Sequence, residues 1–411
     1  MHPLKVRILF LALDLKPEED HAESIHVREL VCSIADLGHE VLLSTSRASN
    51  WRPGEDNGRI TVCRVGGGRT PGEIRRVLRE ARRFEPNVIY ERRFLPKISA
   101  AVSALTGIPA IVEINGLVED EMKMQGTAQK TVLPPAIKEY LTSQIFRWMR
   151  RVVTVTTGLA REMGKRHAIH ASRLAVIENG ANTRLFRPLD KTQCRRKLGL
   201  DLESRWICFV GGLYRWHGVD TLIRALPLMD AHPLPVKLLI VGDGPCKAEL
   251  ESLVNALGVS GRVRFAGQVP YGNVPYYLGA CDLGVGSFTR ERNEKIGGST
   301  MKVYEYVACG RPAVISRIPG IGEWVEREGV GRLAKPDDPQ DFALQVTEAL
   351  RDTRGLEEMS SKGPAVVARE HSWAVVAEKI LALCDSVVRE AITEPSRSLA
   401  GTPPAYLGSD R

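Results

Sequence analysis

The sequence predicts an α/β fold in which two doubly wound domains face each other across a cleft. Apolar runs typical of buried strands alternate with helical periodicity along almost the whole chain, which is the pattern of parallel βαβ units. This alternation pauses near the middle of the chain and then starts again. The length of 411 residues also suggests about two domains. Because doubly wound folds bind ligands at the carboxyl ends of strands, we expect a site in the cleft.

The first half of the chain carries short apolar runs with amphipathic stretches between them. Such runs fit buried strands, and the stretches between them fit helices that cover a sheet. We predict strands at residues 6–13, 40–45, 60–65, 87–90, 110–113, 152–155 and 174–178, and helices at 24–37, 71–83 and 136–150.

The pattern restarts after a polar stretch that contains the segment FRPLD. We predict strands at 206–210, 236–241, 263–267, 283–286 and 313–316, and helices at 219–229, 245–257 and 342–351. The boundaries are therefore 1–185 for the first domain, 186–203 for a linker and 204–371 for the second domain. An amphipathic helix at 372–388 has nothing sequential left to pack on, so we expect it to cross back onto the first domain. The segment 389–411 is rich in Ser, Thr, Pro and Gly and is expected to be disordered.

The composition excludes several functional classes. No run of about 18 apolar residues could span a bilayer. The apolar run near the start is closed early by Asp14 and fits a buried strand better than a signal peptide, so a cytoplasmic protein is expected. Eight cysteines without a C-x-x-C pair indicate free thiols rather than a disulfide frame or a zinc site. No Walker-type loop, H-E-x-x-H or G-x-S-x-G motif occurs, and no aromatic and basic pattern indicates a nucleic-acid partner.

The net charge of +8 permits attraction to anionic partners but selects none of them. The segment 138–151 mixes Tyr140 and Trp148 with Arg147 and Arg150, as in a basic amphipathic helix. Such a helix can lie on an anionic membrane surface. A helix that packs between domains with a charged outer face would give the same pattern. Peripheral contact at the inner membrane face and ordinary packing both remain open.

The most informative segment is 297–316, which reads as a glycine-rich turn, a short helix, a glycine stop and a buried strand. Gly297 and Gly298 allow close backbone approach, and Ser299 or Thr300 can cap the helix. A helix N-terminus behind glycines presents unpaired N–H groups and the positive end of its dipole. This arrangement favours a phosphate.

Lys302 and Glu305 lie three positions apart and therefore share one face of that helix. A cation near the helix mouth and a carboxylate one turn deeper suit a diphosphate followed by a ribose diol. An ordinary amphipathic helix with a solvated Lys–Glu pair is the alternative.

Other polar residues follow predicted strands. Gly211 and Gly212 end a strand, so their backbone N–H groups could meet a phosphate, and Arg215 and His217 could supply charge or donors. A plain βα turn with a surface basic residue would look the same.

In the first domain, Glu91, Arg92 and the segment 113–121 also follow strands and are expected to line the same cleft. His26 is a lone histidine on an amphipathic helix, and such a residue is more often part of a packed core.

Five segments in order resemble glycosyltransferase family 4, the GT-B retaining enzymes that use nucleotide-diphosphate sugars. They are IHVRELVCSIADLGHEV, IENGANTRLFRP, LLIVGDGP, VRFAGQVP and EYVACGRPAVIS. The resemblance runs nearly end to end and implies a GT-B fold, with an acceptor-side first domain and a nucleotide-sugar-binding second domain. It extends to a subgroup with "YeR", "EvNg" and "wHG" variants.

The resemblance also implies residue roles. Glu305 matches the glutamate that binds the nucleotide ribose, and Gly298, Ser299 and Thr300 match the backbone that meets the donor diphosphate. Lys302 matches a subgroup position, and it is implied to stabilise the leaving diphosphate. Gly211, Gly212 and Arg215 lie in a segment that usually contributes phosphate contacts, with Arg215 as a further stabiliser.

The chain departs from the family pattern at several positions. The first glutamate of the family's pair falls on Gly297, so its contact to the transferred sugar would come from elsewhere, with Glu294 as a candidate. The histidine usually near the sugar falls on Asn115, which becomes a candidate for orienting sugar or acceptor. His21 and Ala22 replace the N-terminal double glycine.

The implied activity is retaining transfer from a UDP- or GDP-sugar to a glycan, lipid-linked or small-molecule acceptor. Cell-envelope polysaccharide, glycolipid or other glycoconjugate biosynthesis is the expected setting. No cofactor or metal is required, since no carboxylate cluster for magnesium is visible in the sequence. A non-catalytic nucleotide-sugar-binding subunit, motivated by Gly297 and Asn115, and a nucleotide-sugar epimerase with the same architecture remain alternatives.

Overall fold

The computed structural model describes residues 5–54, 58–66, 70–124, 134–230 and 232–393, and these ranges contain two sheets covered by helices. The strands are β1 (Arg7–Ala12), β2 (Glu40–Thr45), β3 (Ile60–Arg64), β4 (Val88–Arg92), β5 (Ala110–Ile114), β6 (Arg151–Thr154), β7 (Leu174–Val176), β8 (Arg205–Val210), β9 (Val236–Val241), β10 (Val263–Gly267), β11 (Leu283–Gly286), β12 (Ala313–Ser316) and β13 (Gly331–Ala334). The helices are α1 (Ala22–Asp36), α2 (Pro71–Phe84), α3 (Lys97–Thr106), α4 (Val118–Met124), α5 (Pro135–Phe146), α6 (Thr157–His167), α7 (Lys191–Leu198), α8 (Val219–Ala225), α9 (Lys247–Ala256), α10 (Val274–Ala280), α11 (Arg290–Ile296), α12 (Met301–Ala308), α13 (Ile321–Glu328), α14 (Pro339–Arg351), α15 (Thr353–Glu370) and α16 (Trp373–Thr393). The predicted fold class is confirmed.

Both sheets are parallel and doubly wound. The first has the order β3-β2-β1-β4-β5-β6-β7, and the second has the order β10-β9-β8-β11-β12-β13. The strand order reverses between β1 and β4 in the first sheet and between β8 and β11 in the second. Ligands of such sheets bind beside these reversals, at the carboxyl ends of the strands.

Each sheet separates two apolar clusters, because parallel sheets are covered on both faces. Side chains of β1 alternate between them: Ile8 and Phe10 pack with α1 and α16, whereas Leu9 and Leu11 pack with α2 and α3. A strand buried on both sides needs apolar residues at every position. This explains why such strands read as continuous apolar runs in the sequence.

The last helix, α16, returns to the first domain as expected. Its Ile380 and Cys384 lie in the same cluster as Leu30 of α1 and Phe10 of β1. It continues to Thr393, so the expected disorder of residues 389–393 is wrong, and residues 394–411 lie outside the described residues. Within the described ranges, no helix combines the length and the apolar character needed to cross a membrane.

The predicted linker contains a docked helix, α7. Asp190 caps it by accepting a hydrogen bond from the backbone N–H of Gln193 at 2.7 Å. Two cations of α7 contact the buried Asp282 just before β11: Lys191 Nζ at 2.7 Å and Arg195 Nη2 at 2.8 Å. These ion pairs attach the segment to the second sheet.

The two domains also touch directly through α6 and α11. The Thr156 hydroxyl donates a hydrogen bond to the carbonyl oxygen of Ile296. A Cβ added to Gly158 would lie 2.8 Å from the Ile296 carbonyl carbon and 2.8 Å from the Lys295 oxygen. The backbones of the two domains are therefore in contact at this point.

Candidate active site

The carboxyl ends of both sheets open into one cavity of about 340 Å³. This volume is in the range of small-molecule pockets. Residues of both domains line it. The polar lining includes Asp20, His26, Arg92, Asn115, Asn179, Gly211, Gly212, His217, Gly242, Asp243, Gln268, Tyr271, Ser299, Thr300, Lys302 and Glu305.

Lys302 lies in the first turn of α12 and places its ammonium beside the cavity. Its Nζ lies 4.3 Å from the centre of the Phe209 ring and has no hydrogen-bond partner among the described residues. Burial lowers the pKa of Lys302 to about 7. A Cβ at Gly211 would lie 2.7 Å from Nζ, so the glycine leaves room for the ammonium. An anion in the cavity would supply the missing partner.

Glu305 follows one turn deeper on the same helix face, as its spacing from Lys302 predicted. It is buried, and the Tyr271 hydroxyl donates a hydrogen bond to its Oε1 at 3.0 Å. Burial raises the pKa of Glu305 to about 7 even though the Tyr271 hydrogen bond acts in the opposite direction. The site therefore presents a cation at its mouth and an acceptor further in.

The loop before α12 is held by Asn179, and the expected caps are absent. The backbone N–H of Asn179 donates to Ser299 Oγ at 2.8 Å, and Thr300 Oγ1 is buried without a partner among the described residues. Neither side chain caps α12, which corrects the sequence expectation. Ser299 and Thr300 line the cavity, whereas Gly298 is buried next to it and donates its N–H to Pro319 O.

Gly297 occupies the position of the first family glutamate. Its φ is +71°, and a Cβ there would lie 2.9 Å from the Pro319 oxygen. Only glycine enters this backbone region without strain. The backbone of this loop is thus built around a glycine.

The glycines after β8 and β9 bring two loops together. Gly211 has φ +135° and Gly242 has φ +138°, and a Cβ at Gly242 would lie 2.0 Å from the Gly211 oxygen. His217 lies below this turn, and its Nδ1–H donates to the Gly212 carbonyl at 2.5 Å. Burial and the nearby Lys302 lower the pKa of His217 well below its usual value. His217 is therefore a neutral support for the turn and supplies no charge.

Arg215 and Glu294 are not brought to the cavity. A short turn over Arg215–His217 directs the Arg215 side chain to solvent, where it contacts Glu249 Oε2 at 3.2 Å. Glu294 lies on the exposed face of α11. Their expected contacts to phosphate and sugar are corrected on these grounds.

The first domain contributes Asn115, Arg92 and His26. Asn115 lines the cavity, and its Oδ1 is buried without a partner among the described residues. Glu113 is buried behind them and accepts a hydrogen bond from Tyr90 at 2.6 Å. Burial alone would raise its pKa, but His26 and Arg92 hold the pKa of Glu113 at about 2. Glu113 is thus a fixed anion, placed to orient its neighbours.

Sequence reasoning missed several lining residues, among them His26, Tyr271 and Asn179. His26 was expected in the core; it is buried against Trp373, and it also borders the cavity. Tyr271 and Asn179 were not singled out as site residues, although Asn179 directly follows the strand predicted at 174–178. In the part of the chain that the structure describes, no group of three or more His, Cys, Asp or Glu could hold a metal ion.

Two family models match the chain, one in each half. A model described as "Glycosyl transferase 4-like domain" matches residues 24–180, and one described as "Glycosyl transferases group 1" matches residues 204–352. A D-inositol 3-phosphate glycosyltransferase of Thermobispora bispora is 26% identical over 384 residues, covering 87% of this chain and 88% of that protein.

Solved structures resemble the fold. HepE of Anabaena in complex with UDP has a TM-score of 0.73 at 20% identity, covering 92% of this chain and 100% of its own. Sucrose-phosphate synthase of Thermosynechococcus elongatus has a TM-score of 0.71 at 20% identity, covering 95% of this chain and 100% of its own. The solved structures show the GT-B fold, and the two family models together show that the chain belongs to glycosyltransferase family 4, whose GT-B members transfer sugars from nucleotide donors.

Proposed function

We propose that the chain transfers a glycosyl unit from a UDP- or GDP-sugar to an acceptor hydroxyl, with retention at the anomeric carbon. The observation that carries this proposal is the Lys302 ammonium, which is buried at the start of α12 without a partner among the described residues. An unpaired buried charge costs free energy. A donor diphosphate would remove that cost.

The chemistry follows from this placement. Cleavage at the anomeric carbon creates an oxocarbenium-like centre and moves negative charge onto the leaving diphosphate. Lys302 and the N–H groups at the N-terminus of α12 stabilise that charge. The leaving phosphate accepts the proton of the acceptor hydroxyl on the same face of the sugar, so configuration is retained. Glu305 binds the ribose diol, and Asn115 orients the sugar or the acceptor.

A non-catalytic nucleotide-sugar-binding subunit is the second candidate. The glycine backbone at position 297 favours it, because φ +71° there disfavours the glutamate that other family members use. Incubation with donor and an extract of glycan and lipid acceptors separates the two functions. Release of nucleotide that depends on the extract supports catalysis, and binding without any release supports the subunit.

Replacement of Glu305 with alanine tests the assignment of the nucleotide site. A thermal-shift series with UDP- and GDP-sugars first identifies the donor nucleotide, because ligands that bind the native state raise Tm. We expect Glu305→Ala to weaken nucleotide binding by about 1.5–3 kcal/mol, the range for hydrogen bonds to charged groups. Calorimetry measures this loss. Glu358→Ala, an exposed glutamate of α15, is the matched control. Unchanged nucleotide affinity in Glu305→Ala would refute the assignment.

We also propose that the acceptor side of the enzyme docks on an anionic membrane at the cytoplasmic face. The free state of all eight cysteines supports a reducing compartment. Large apolar side chains are exposed to solvent on α5 and on the turn after it. They are Ile137 (47% exposed), Tyr140 (64%), Leu141 (48%) and Trp148 (39%).

Arginines accompany this apolar surface in the sequence. Burial and the charges of Arg151, Arg147 and Arg150 lower the pKa of Arg173, and Arg151 is paired with Glu390. Aromatic and aliphatic side chains bordered by cations match the acyl and headgroup layers of an anionic bilayer. A lipid-linked acceptor would then reach the enzyme from this surface.

Vesicle binding tests the membrane proposal. Each arginine near an anionic surface contributes about 1 kcal/mol. We therefore expect Arg147→Gln combined with Arg150→Gln to weaken binding to phosphatidylserine-containing vesicles about 30-fold. Sedimentation with and without phosphatidylserine measures the change. The control combines Arg317→Gln with Arg354→Gln, which remove the same charge elsewhere. Equal sedimentation of both double variants would contradict the proposal.

A further inference from the structure

Two side-chain cations line the cavity, and each belongs to a different domain. Of the lysines and arginines in the described ranges, Lys302 on α12 and Arg92 at the end of β4 border it. The proposed donor diphosphate needs Lys302. The proposed transfer gives no role to Arg92.

Arg92 is buried at the cavity wall with unused hydrogen-bond donors. Its side chain is 12% exposed, and its ion contact within the described residues is with Glu113, whose Oε1 lies 3.5 Å from Nε. Nε itself has no hydrogen-bond partner there. A guanidinium carries five N–H donors, and leaving buried donors unpaired costs free energy. Arg92 is therefore placed to donate to a ligand in the cavity.

Glu113 balances the charge of Arg92 from behind the cavity wall. The two residues are in register on β5 and β4, so their side chains lie on the same face of the sheet. Arg92 does not hold this carboxylate alone, because Oε1 also lies 3.0 Å from His26 Nε2 and Oε2 accepts the Tyr90 hydroxyl at 2.6 Å. The guanidinium thus has a compensating charge and keeps its cavity side for a ligand.

The carboxylates that line the cavity have other partners. Asp20 contacts Arg28 Nη2 at 3.4 Å, and Asp243 contacts Lys247 Nζ at 3.1 Å. The third, on α12, accepts the tyrosine hydrogen bond described above. No ion pair joins any of the three to Arg92 within the described ranges. An anionic ligand could therefore reach the guanidinium without displacing a side chain.

Asn115 supplies an acceptor on the neighbouring strand. It follows β5, which pairs with β4, and its Oδ1 is buried without a partner among the described residues. Both Asn115 and Arg92 line the cavity. An amide oxygen accepts from a hydroxyl, whereas the planar guanidinium donates in bidentate fashion to phosphate or carboxylate oxygens. The first-domain wall thus suits a ligand that combines a hydroxyl with an oxyanion.

We infer that the acceptor carries an oxyanion, a phosphate or a carboxylate, and that Arg92 binds this group while Asn115 accepts a hydrogen bond from an acceptor hydroxyl. This inference rests on the proposed nucleotide-sugar function. The donor diphosphate and the acceptor oxyanion then share one cavity, each with a cation of its own. Without Arg92, the two anions would repel each other in a site that is poorly screened by water.

Binding of small anions to the UDP complex tests the inference, because saturating UDP occupies the Lys302 side of the cavity. The probes are sn-glycerol 3-phosphate against glycerol and glucuronate against glucose, so the two pairs separate a phosphate from a carboxylate. We expect calorimetry to show that the charged member of at least one pair binds more tightly than its neutral partner. Arg92→Gln should weaken this anion binding about tenfold to a hundredfold, the loss of charge-assisted hydrogen bonds, and leave UDP affinity unchanged. Arg79→Gln, an exposed arginine of α2, is the matched control.

Arg92→Gln leaves Glu113 buried without this cation, so two further variants keep the test decisive. Arg92→Lys keeps the charge but not the bidentate donor, and it should bind the anion with intermediate affinity. Arg92→Gln combined with Glu113→Gln removes both charges. We expect it to melt at a higher temperature than Arg92→Gln alone and still to bind the anion weakly. Anion affinity at the wild-type level in this folded double variant would overturn the inference.

The remaining outcomes separate this inference from the nucleotide assignment. Equal binding of charged and neutral probes by wild type would overturn the inference, and so would equal losses of UDP and anion affinity in Arg92→Gln, which would assign Arg92 to the donor. If wild type fails to bind UDP, the nucleotide assignment is wrong, and inorganic phosphate is titrated into Lys302→Met without nucleotide. Phosphate binding that is lost on adding Arg92→Gln would support the anion site, and equal binding by both proteins would refute it.

Discussion

Lys302→Met is expected to lower kcat for sugar transfer by about 10²–10³-fold, the usual cost of removing one preorganised group that stabilises developing charge. Methionine fills a similar volume next to Phe209 and Phe288, so the fold should be kept. Because the unliganded variant no longer buries the Lys302 amine without a partner, its Tm should rise. Steady-state kinetics and calorimetric melting measure both effects. Lys362→Met, on the exposed surface of α15, is the matched control.

The protons taken up when the donor binds give an independent measure of the protonation of Lys302. With a pKa of about 7 in the empty site, Lys302 is mostly neutral at pH values above 7. A bound diphosphate favours the ammonium, so binding should take up a proton there, and affinity should fall as pH rises. Glu305, whose pKa is also raised to about 7, is mostly ionised in that range, and a contact of its carboxylate with the ribose diol would favour proton release rather than uptake. Calorimetry in buffers of different ionisation enthalpy should show uptake in wild type and none in Lys302→Met. Near-normal kcat and unchanged proton uptake in the variant would contradict the assigned role.

Asp282→Ala is expected to destabilise the protein by about 3–5 kcal/mol, the range for removing one partner of a buried ion pair. The carboxylate has no exposed side-chain surface and contacts Lys191 Nζ at 2.7 Å and Arg195 Nη2 at 2.8 Å. It also accepts the Trp206 backbone N–H at 2.8 Å. Its removal leaves Arg195 buried without its partner and releases α7 from the second sheet. Urea titration and scanning calorimetry measure the loss.

The pH dependence of this contribution has a definite sign. Although burial alone would raise it, Lys191 and Arg195 hold the pKa of Asp282 below its usual value. The stabilisation is therefore complete at neutral pH and disappears only as pH falls through the lowered folded-state value. Asp230→Ala is the control, since Asp230 pairs with Arg262 at the surface with 71% of its side chain exposed. Such pairs contribute at most about 1 kcal/mol. Equal loss of stability in both variants would argue against the buried cluster.

The sequence predicted the strands that are buried on both faces and missed elements that depend on distant contacts. The strands at 40–45 and 236–241 match β2 and β9 to the residue, because each contains a short apolar run, VLL in the first and LLIV in the second. β13 was missed, since Gly331 and Arg332 interrupt the apolar pattern of that short strand. α7 was read as linker because its residues are mostly polar. What holds it is Asp282, far along the chain.

The sequence predicted those parts of the site in which the functional side chains lie close together on one helix. The helix spacing of Lys302 and Glu305 places both on one face, and both line the cavity. Arg215 illustrates the opposite case. The sequence correctly placed Arg215 after strand β8. The direction of its side chain, however, depends on a short turn that the sequence does not specify. Asn179 and Tyr271 reach the cavity from separate elements, so only the folded chain shows their role.

The contact between α6 and α11 has a mechanical consequence. Where Gly158 meets Ile296, backbone touches backbone, so α6 and α11 have no room to approach each other more closely. The contact therefore sets a lower limit on the spacing of the two domains at this point, and separating them here would break the hydrogen bond from the Thr156 hydroxyl to the Ile296 oxygen.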